Sequence, residues 1–185
     1  MKVARQSNRK GKPRKTDPLR RVSLLLLDVD GVLTDGRIFF DADGRETKIF
    51  HVHDGAGIAY FRKSGGRVAL LSGRRSDVVL QRARELGIED VLQGFLEKVA
   101  PYESLLGKYG LDDAAACYVG DDLTDLPLLR RVGFAAAPRN ARPEVCQAVS
   151  YVTHARGGEG AVREVVEVLL RAQGRWREIV ERAGV

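Results

Sequence analysis

Leu24–Leu27 is an unbroken run of four leucines that ends abruptly in Asp28-Val29-Asp30-Gly31. A strand with one wet face alternates apolar and polar residues, whereas a strand covered on both faces reads as a continuous apolar run. The run is far shorter than the ~20 apolar residues that cross a membrane. It therefore predicts a short central strand with helices packed on both sides of its sheet.

The rest of the chain repeats this design. Arg67–Leu71 is a second apolar strand, ending in Ser72-Gly73-Arg74, and Ala114–Val119 another, ending in Gly120-Asp121-Asp122. Weaker strands are expected at Ile88–Gln93 and Gly133–Ala136, with an edge strand at Ser150–Thr153. Helices are expected over Asp54–Ser64, from Ser76 or Asp77 to Leu86, Glu97–Tyr109, Leu123–Arg131 and within Asn140–Val149. Glu159–Gln173 carries apolar residues at helical spacing, and Gly174 separates it from a shorter charged helix. Between the first strand and the first helix, Arg37–Asp41 and Arg45–His51 flank the turn signal Ala42-Asp43-Gly44 and predict a β-hairpin. Strands alternating with helices imply an α/β fold: a three-layer, Rossmann-like parallel sheet flanked by helices, with the hairpin inserted after the first strand.

The formal charge of +6 hints at nucleic acid until its distribution is considered. Residues 1–21 hold nine of the 31 Lys/Arg side chains and one of the 25 Asp/Glu, a local balance of +8. The other 164 residues carry 22 basic and 24 acidic side chains, so residues 22–185 are expected to form one nearly neutral domain behind a basic, disordered tail. The tail lacks aromatic residues for stacking, which leaves at most a weak, salt-sensitive affinity for polyanions. Two cysteines without metal spacing exclude a disulfide scaffold, and no secretory signal is recognisable, so a cytoplasmic chain is expected with Cys117 a buried, inert thiol. His51 and His53 form an H-x-H pair without a third ligand nearby, which argues against zinc.

In open parallel sheets the ligand site lies beyond the carboxyl ends of the strands. Three such ends carry polar clusters that folding does not require, and Lys98 opens the helix that follows the third strand. Carboxylates crowded this closely repel unless a cation sits among them. An oxygen-rich site with few protein ligands suits Mg²⁺.

In combination, Asp28–Asp35 (DVDGVLTD), Leu70–Arg74 (LLSGR), Lys98 and Val119–Asp125 (VGDDLTD) resemble the four motifs of the haloacid dehalogenase superfamily of phosphohydrolases. There is no room for a separate cap domain. The hairpin, Phe50–Ile58 (FHVHDGAGI) and Arg156–Gly174 (RGGEGAVREVVEVLLRAQG) are similar to the capless branch that contains the 3-deoxy-D-manno-octulosonate 8-phosphate phosphatases.

That resemblance implies a Mg²⁺-dependent phosphatase of a keto-sugar-acid phosphate in lipopolysaccharide precursor synthesis. Nine-carbon, sialic-acid-type 9-phosphates are the alternative substrates. Asp28 would be the nucleophile and form an aspartyl-phosphate, and Asp30 the general acid and base. Mg²⁺ would be held by Asp28, the Asp30 carbonyl and Asp121, with Asp122 and Asp125 orienting this set. Ser72 and Lys98 would hold the phosphoryl group. His51, Val52, His53, Asp54, Gly55, Arg74 and Arg82 would, with Asp30 and Lys98, contact the substrate. His51, His53 and Ala59 depart from the residues common at those positions, Asn, Arg and a basic side chain. The branch also implies a homotetramer whose neighbours complete each active site, in keeping with the apolar hairpin residues Ile38, Phe39, Phe40, Ile49 and Phe50. The loop Arg156–Gly160 is expected to reach the site and offer backbone N–H groups to an anion. A phospho-receiver domain also uses clustered acids and a lysine. However, it places its phosphoacceptor on a middle strand, and here the candidate follows the first.

Overall fold

The four leucines of β1 (Leu24–Leu27) lie at the centre of a six-stranded sheet and are fully buried. The computed structural model describes residues 17–182 and Gly184. β2 (Phe39–Phe40) and β3 (Glu46–Thr47) form the hairpin, with Phe39 opposite Thr47. Then come α1 (Val52–Lys63), β4 (Arg67–Ser72), α2 (Asp77–Leu86), β5 (Asp90–Gln93) and α3 (Val99–Tyr109). The second half runs through β6 (Ala116–Val119), α4 (Leu126–Leu129), β7 (Phe134–Ala137), α5 (Pro143–Ala148), β8 (Tyr151–Val152), α6 (Ala161–Ala172) and α7 (Trp176–Arg182). The sheet order is β5-β4-β1-β6-β7-β8, and every neighbouring pair is parallel.

Alternate β1 side chains feed opposite layers. Leu25 and Leu27 pack with Ile58 and Phe61 of α1 and with Val165, Val166 and Leu169 of α6. Leu24 and Leu26 pack with Tyr102, Leu105 and Leu128 on the other face. Truncating one such leucine to alanine costs about 2–5 kcal/mol, so the sheet centre is a rigid platform for whatever lies beyond its strand ends.

Several boundaries differ from expectation. The hairpin strands are two residues each instead of five and seven, because their apolar side chains have little of this chain to pack against. α1 begins at Val52, two residues early, with His51 as its N-cap. His51 and His53 therefore do not share a strand face. The helix expected over Leu123–Arg131 is a 3₁₀ turn, Leu123–Asp125, followed by the single turn of α4. Pro18–Arg21, expected in the tail, form a 3₁₀ turn against the body. The Gln173 amide donates to the carbonyls of Leu19 and Val22 at 3.1 and 2.8 Å, and Arg21 pairs with Asp112 at 2.9 Å. Residues 1–16 of the expected tail lie outside the described residues.

Candidate active site

The carboxyl ends of β1, β4 and β6 meet at one point because the parallel register aligns them: Leu27 lies opposite Leu70 on one side and Val119 on the other. Asp28 just past β1, Ser72 as the last residue of β4 and Asp121 just past β6 are thereby presented together. Lys98, the N-cap residue of α3, supplies the cation from a fourth direction.

Asp28 and Lys98 are both buried, with the ammonium 3.2 Å from Asp28 Oδ1. The same ammonium donates to Asp125 Oδ1 at 2.6 Å and to the Tyr118 hydroxyl at 3.0 Å. Tyr118 in turn donates to Asp125 Oδ1 at 2.6 Å. Asp125 Oδ2 accepts the backbone N–H groups of Asp121 and Asp122 at 2.8 and 3.1 Å. Both Asp125 oxygens are thus committed, one to aiming Lys98 and the other to shaping the loop that carries Asp121. Burial works to lower the Lys98 pKa, but the charges of Asp28 and Asp125 overturn this and raise it, so the lysine is a fixed cation.

The remaining acids fit a divalent metal. Asp28, Asp121 and Asp125 each present one oxygen, and these lie within 4.8 Å of one another. Asp121 Oδ1 is buried without a hydrogen-bond partner. Burial raises the Asp28 carboxyl to about 7, with Lys98 opposing and Asp125 adding to the rise. Asp121 is likewise raised to about 7 by burial and by the neighbouring charges of Asp28 and Asp125. Two carboxylates that resist ionisation side by side, one with an unanswered oxygen, form a donor set for a hard cation. Since Asp125 is fully engaged, Asp28 and Asp121 are the available ligands.

Asp30 faces a second cluster. Its Oδ1 accepts from the buried ammonium of Lys48, and Oδ2 lies 3.8 Å from Arg74 Nη1. Glu46 Oε1 lies 3.3 Å from Lys48 and 2.9 Å from Arg74 Nη2. Arg74 Nη1 is buried and donates no hydrogen bond. Ser72 Oγ accepts the Arg74 backbone N–H at 3.3 Å. Lys48, Glu46, Tyr118 and Asp125's double role were not foreseen. Lys48 and Glu46 read as ordinary polar positions of a solvated hairpin, and only their i, i+2 spacing places them on one face.

Other expected site residues are engaged elsewhere. Asp54 is buried and caps α6, accepting from Gly160 and Arg163 N–H at 3.2 and 2.8 Å. Arg82 pairs with Glu85 at 3.1 Å and lies over the Phe50 ring, beside Gly55 in α1. Gly55 is buried there, Val52 is exposed, and His51 Nδ1 accepts the His53 N–H at 3.3 Å. Asp122 is exposed and caps its 3₁₀ turn through the Leu123 N–H at 2.8 Å. The Arg156–Gly160 loop does reach the catalytic loop, with Gly157 against the Gly31 carbonyl. Four of its N–H groups are not free for an anion: Gly157 donates to Asn140, Gly158 to Val32, Glu159 to Arg156 and Gly160 to Asp54.

Comparison with known proteins agrees with this architecture. A family model described as haloacid dehalogenase-like hydrolase matches residues 87–165. The chain is 43% identical over 157 residues to a 3-deoxy-D-manno-octulosonate 8-phosphate phosphatase of Salmonella typhi, covering 85% of this chain and 84% of that protein. It is 41% identical over 152 residues to the enzyme of that name from Yersinia pestis, covering 82% and 81%. A solved structure of the Moraxella catarrhalis phosphatase, in complex with magnesium, phosphate and KDO, superimposes with a TM-score of 0.88 at 38% identity, covering 89% of this chain and 95% of that one.

Proposed function

Since the chain belongs to the haloacid dehalogenase-like hydrolases, among the 3-deoxy-D-manno-octulosonate 8-phosphate phosphatases, we propose that it releases phosphate from 3-deoxy-D-manno-octulosonate 8-phosphate. The observation that carries this reading is the placement of Asp28 at the tip of the central strand, 3.2 Å from Lys98 and within metal-ligand reach of Asp121.

Asp28 attacks phosphorus in line with the ester oxygen, forming an aspartyl-phosphate while the P–O bond to the sugar breaks. Asp30, two residues on, gives its proton to the departing oxygen and later takes one from the attacking water. Ser72 and Lys98 bind phosphoryl oxygens, and Asp125 and Tyr118 keep Lys98 aimed at them. Asp28, Asp121 and the Asp30 carbonyl would hold Mg²⁺, which would supply the positive charge that offsets the repulsion between carboxylate and phosphate. Arg74, with a buried N–H that lacks an acceptor, is suited to the carboxylate or a hydroxyl of the sugar acid.

The exposed apolar hairpin supports assembly into a homotetramer. Ile38, Phe40 and Ile49 of the hairpin, and Val52 at the start of α1, are each more than half exposed, more apolar surface than a solvated ribbon needs. Light scattering of the purified chain should give four times the 20.4 kDa mass, and a monomer would exclude this assembly. Among the described residues no helix is long and apolar enough to cross a membrane.

Phosphate release from a panel of sugar phosphates, with and without Mg²⁺, tests the proposal. The eight-carbon keto-acid ester should be the best substrate, nothing should turn over without metal, and Asp28→Asn should be inert. Preference for a nine-carbon 9-phosphate would move the assignment to that substrate. Metal-independent hydrolysis would overturn the mechanism.

A further inference from the structure

The side chains of Asp30, Lys48, Glu46 and Arg74 form a closed ring of alternating charge. Lys48 bonds Asp30 Oδ1, Glu46 Oε1 lies 3.3 Å from Lys48 and 2.9 Å from Arg74, and Arg74 returns to Asp30 Oδ2 at 3.8 Å. Lys48 is the most enclosed member: its side chain is 1% exposed, on a hairpin whose arginines Arg37 and Arg45 reach solvent. Leaving an ammonium that far from water is costly unless fixed partners surround it, and both of its partners are carboxylates. Glu46 is held below its ordinary pKa: burial works to raise it, and Ser76, Lys48 and Arg74 beside it prevail.

We propose that Lys48, held by Glu46, is a positioning residue for Asp30, fixing the carboxyl group that serves the leaving oxygen. The inference rests on the phosphatase reading above. In the first half-reaction the Asp28–phosphorus bond forms, the phosphorus–ester-oxygen bond breaks, and its electron pair takes the Asp30 proton. In the second, water adds to phosphorus and gives a proton back to Asp30, while the Asp28–phosphorus electron pair returns to Asp28. Asp30 must hold one orientation through both steps. Its backbone sits in a turn, so the side chain depends on partners from elsewhere. The hairpin supplies the nearest one, which gives this insertion a task inside its own subunit.

A misaimed acid harms esters whose leaving oxygen needs a proton and spares those whose leaving group departs as a stable anion. The test compares kcat on a sugar phosphate and on p-nitrophenyl phosphate. For Lys48→Met, kcat on the sugar phosphate should fall about 10–100-fold, less than the roughly 100–10,000-fold attributed to general acid catalysis because Asp30 itself remains, and kcat on the aryl ester less than about 3-fold. Lys48→Arg should recover much of the loss. Glu46→Gln leaves both cations beside Asp30 and should give a smaller loss of the same selectivity, which keeps the test decisive if Lys48→Met fails to fold. Equal losses on both esters, or a raised KM with unchanged kcat, would overturn the positioning role. Wild-type enzyme that hydrolyses neither ester would instead overturn the phosphatase reading itself.

Discussion

Lys98 donates to Asp125 across 2.6 Å, joining the start of α3 to the 3₁₀ turn after β6, 27 residues away. Asp125 is completely buried and accepts from Lys98, Tyr118 and two backbone N–H groups at once.

Asp125→Asn should therefore weaken fold and turnover together. Removing one partner of a buried ion pair costs about 3–5 kcal/mol. Tyr118→Phe, which removes a single hydroxyl donor, should cost about 1 kcal/mol. Urea unfolding of the two variants measures the difference. Comparable small losses would show that Asp125 is not the anchor of this end of the sheet.

Metal binding should strengthen as pH rises through about 7. Without a cation, burial and neighbouring carboxylates, Asp125 beside Asp28 and both Asp28 and Asp125 beside Asp121, raise Asp28 and Asp121 to about 7, far above the unfolded value of 3.8. A raised carboxyl pKa favours the fold while the group stays protonated, so this contribution fades between about pH 4 and pH 7 and is absent above. Mg²⁺ replaces those protons and relieves the repulsion. At ~100 times its Kd the ion should add about 2.7 kcal/mol, or roughly 5–11 °C in Tm, at pH 8. The gain should be much smaller at pH 5.5. Equal gains at both pH values, or a gain retained by Asp121→Asn, would exclude these ligands.

Much of the site was legible because its polar motifs stand at the ends of apolar strands, where folding alone does not call for clustered charge. Asp28, Asp121 and Lys98 were readable from apolar runs that stop at clustered charge, and the parallel register then brings them together. The contacts of Asp54 and Arg82 within the chain were not legible, because a polar residue near a motif looks the same whether it meets substrate, caps a helix or pairs with a neighbour. Asp54 bonds Gly160 and Arg163, more than a hundred residues away, and no local pattern carries that information. Lys48 was invisible for a related reason: a lysine on a two-stranded ribbon reads as solvated until the fold closes over it. Pro18–Arg21 were hidden by composition, since Leu19 is one apolar residue among charges and its packing depends on Gln173.

That turn separates two truncations. Deleting residues 1–16 should leave Tm and turnover unchanged, because their dense like charge and few apolar side chains give little to bury. Deleting residues 1–21 removes Leu19 from the core edge, the Arg21–Asp112 pair and one Gln173 hydrogen bond. An exposed ion pair contributes little, so the loss of about 1–2 kcal/mol should come from Leu19 and the hydrogen bond. A shorter truncation that abolished activity would assign the basic segment to the site.

Two glycine-to-alanine changes should have opposite signs. Gly157 lies directly against the Gly31 carbonyl, and a Cβ there would collide with it and crowd the Thr34 carbonyl. Both neighbours are backbone, so neither can rotate away. The 156–160 loop cannot retreat easily either, since Asn140 and Asp54 hold it through Gly157 and Gly160, and Glu164 binds the adjoining N–H groups of His154 and Ala155. Gly157→Ala should therefore cost about 1–3 kcal/mol and lower kcat, because the strain falls on the loop carrying Asp28 and Asp30. Gly107 lies within α3 with nothing near its missing Cβ, and Gly107→Ala should stabilise by about 0.5–1 kcal/mol at unchanged kcat. Chemical denaturation with parallel kinetics reads both effects. A neutral Gly157→Ala would mean that the loop yields, and the tight contact with Gly31 would then play no part in holding the catalytic turn.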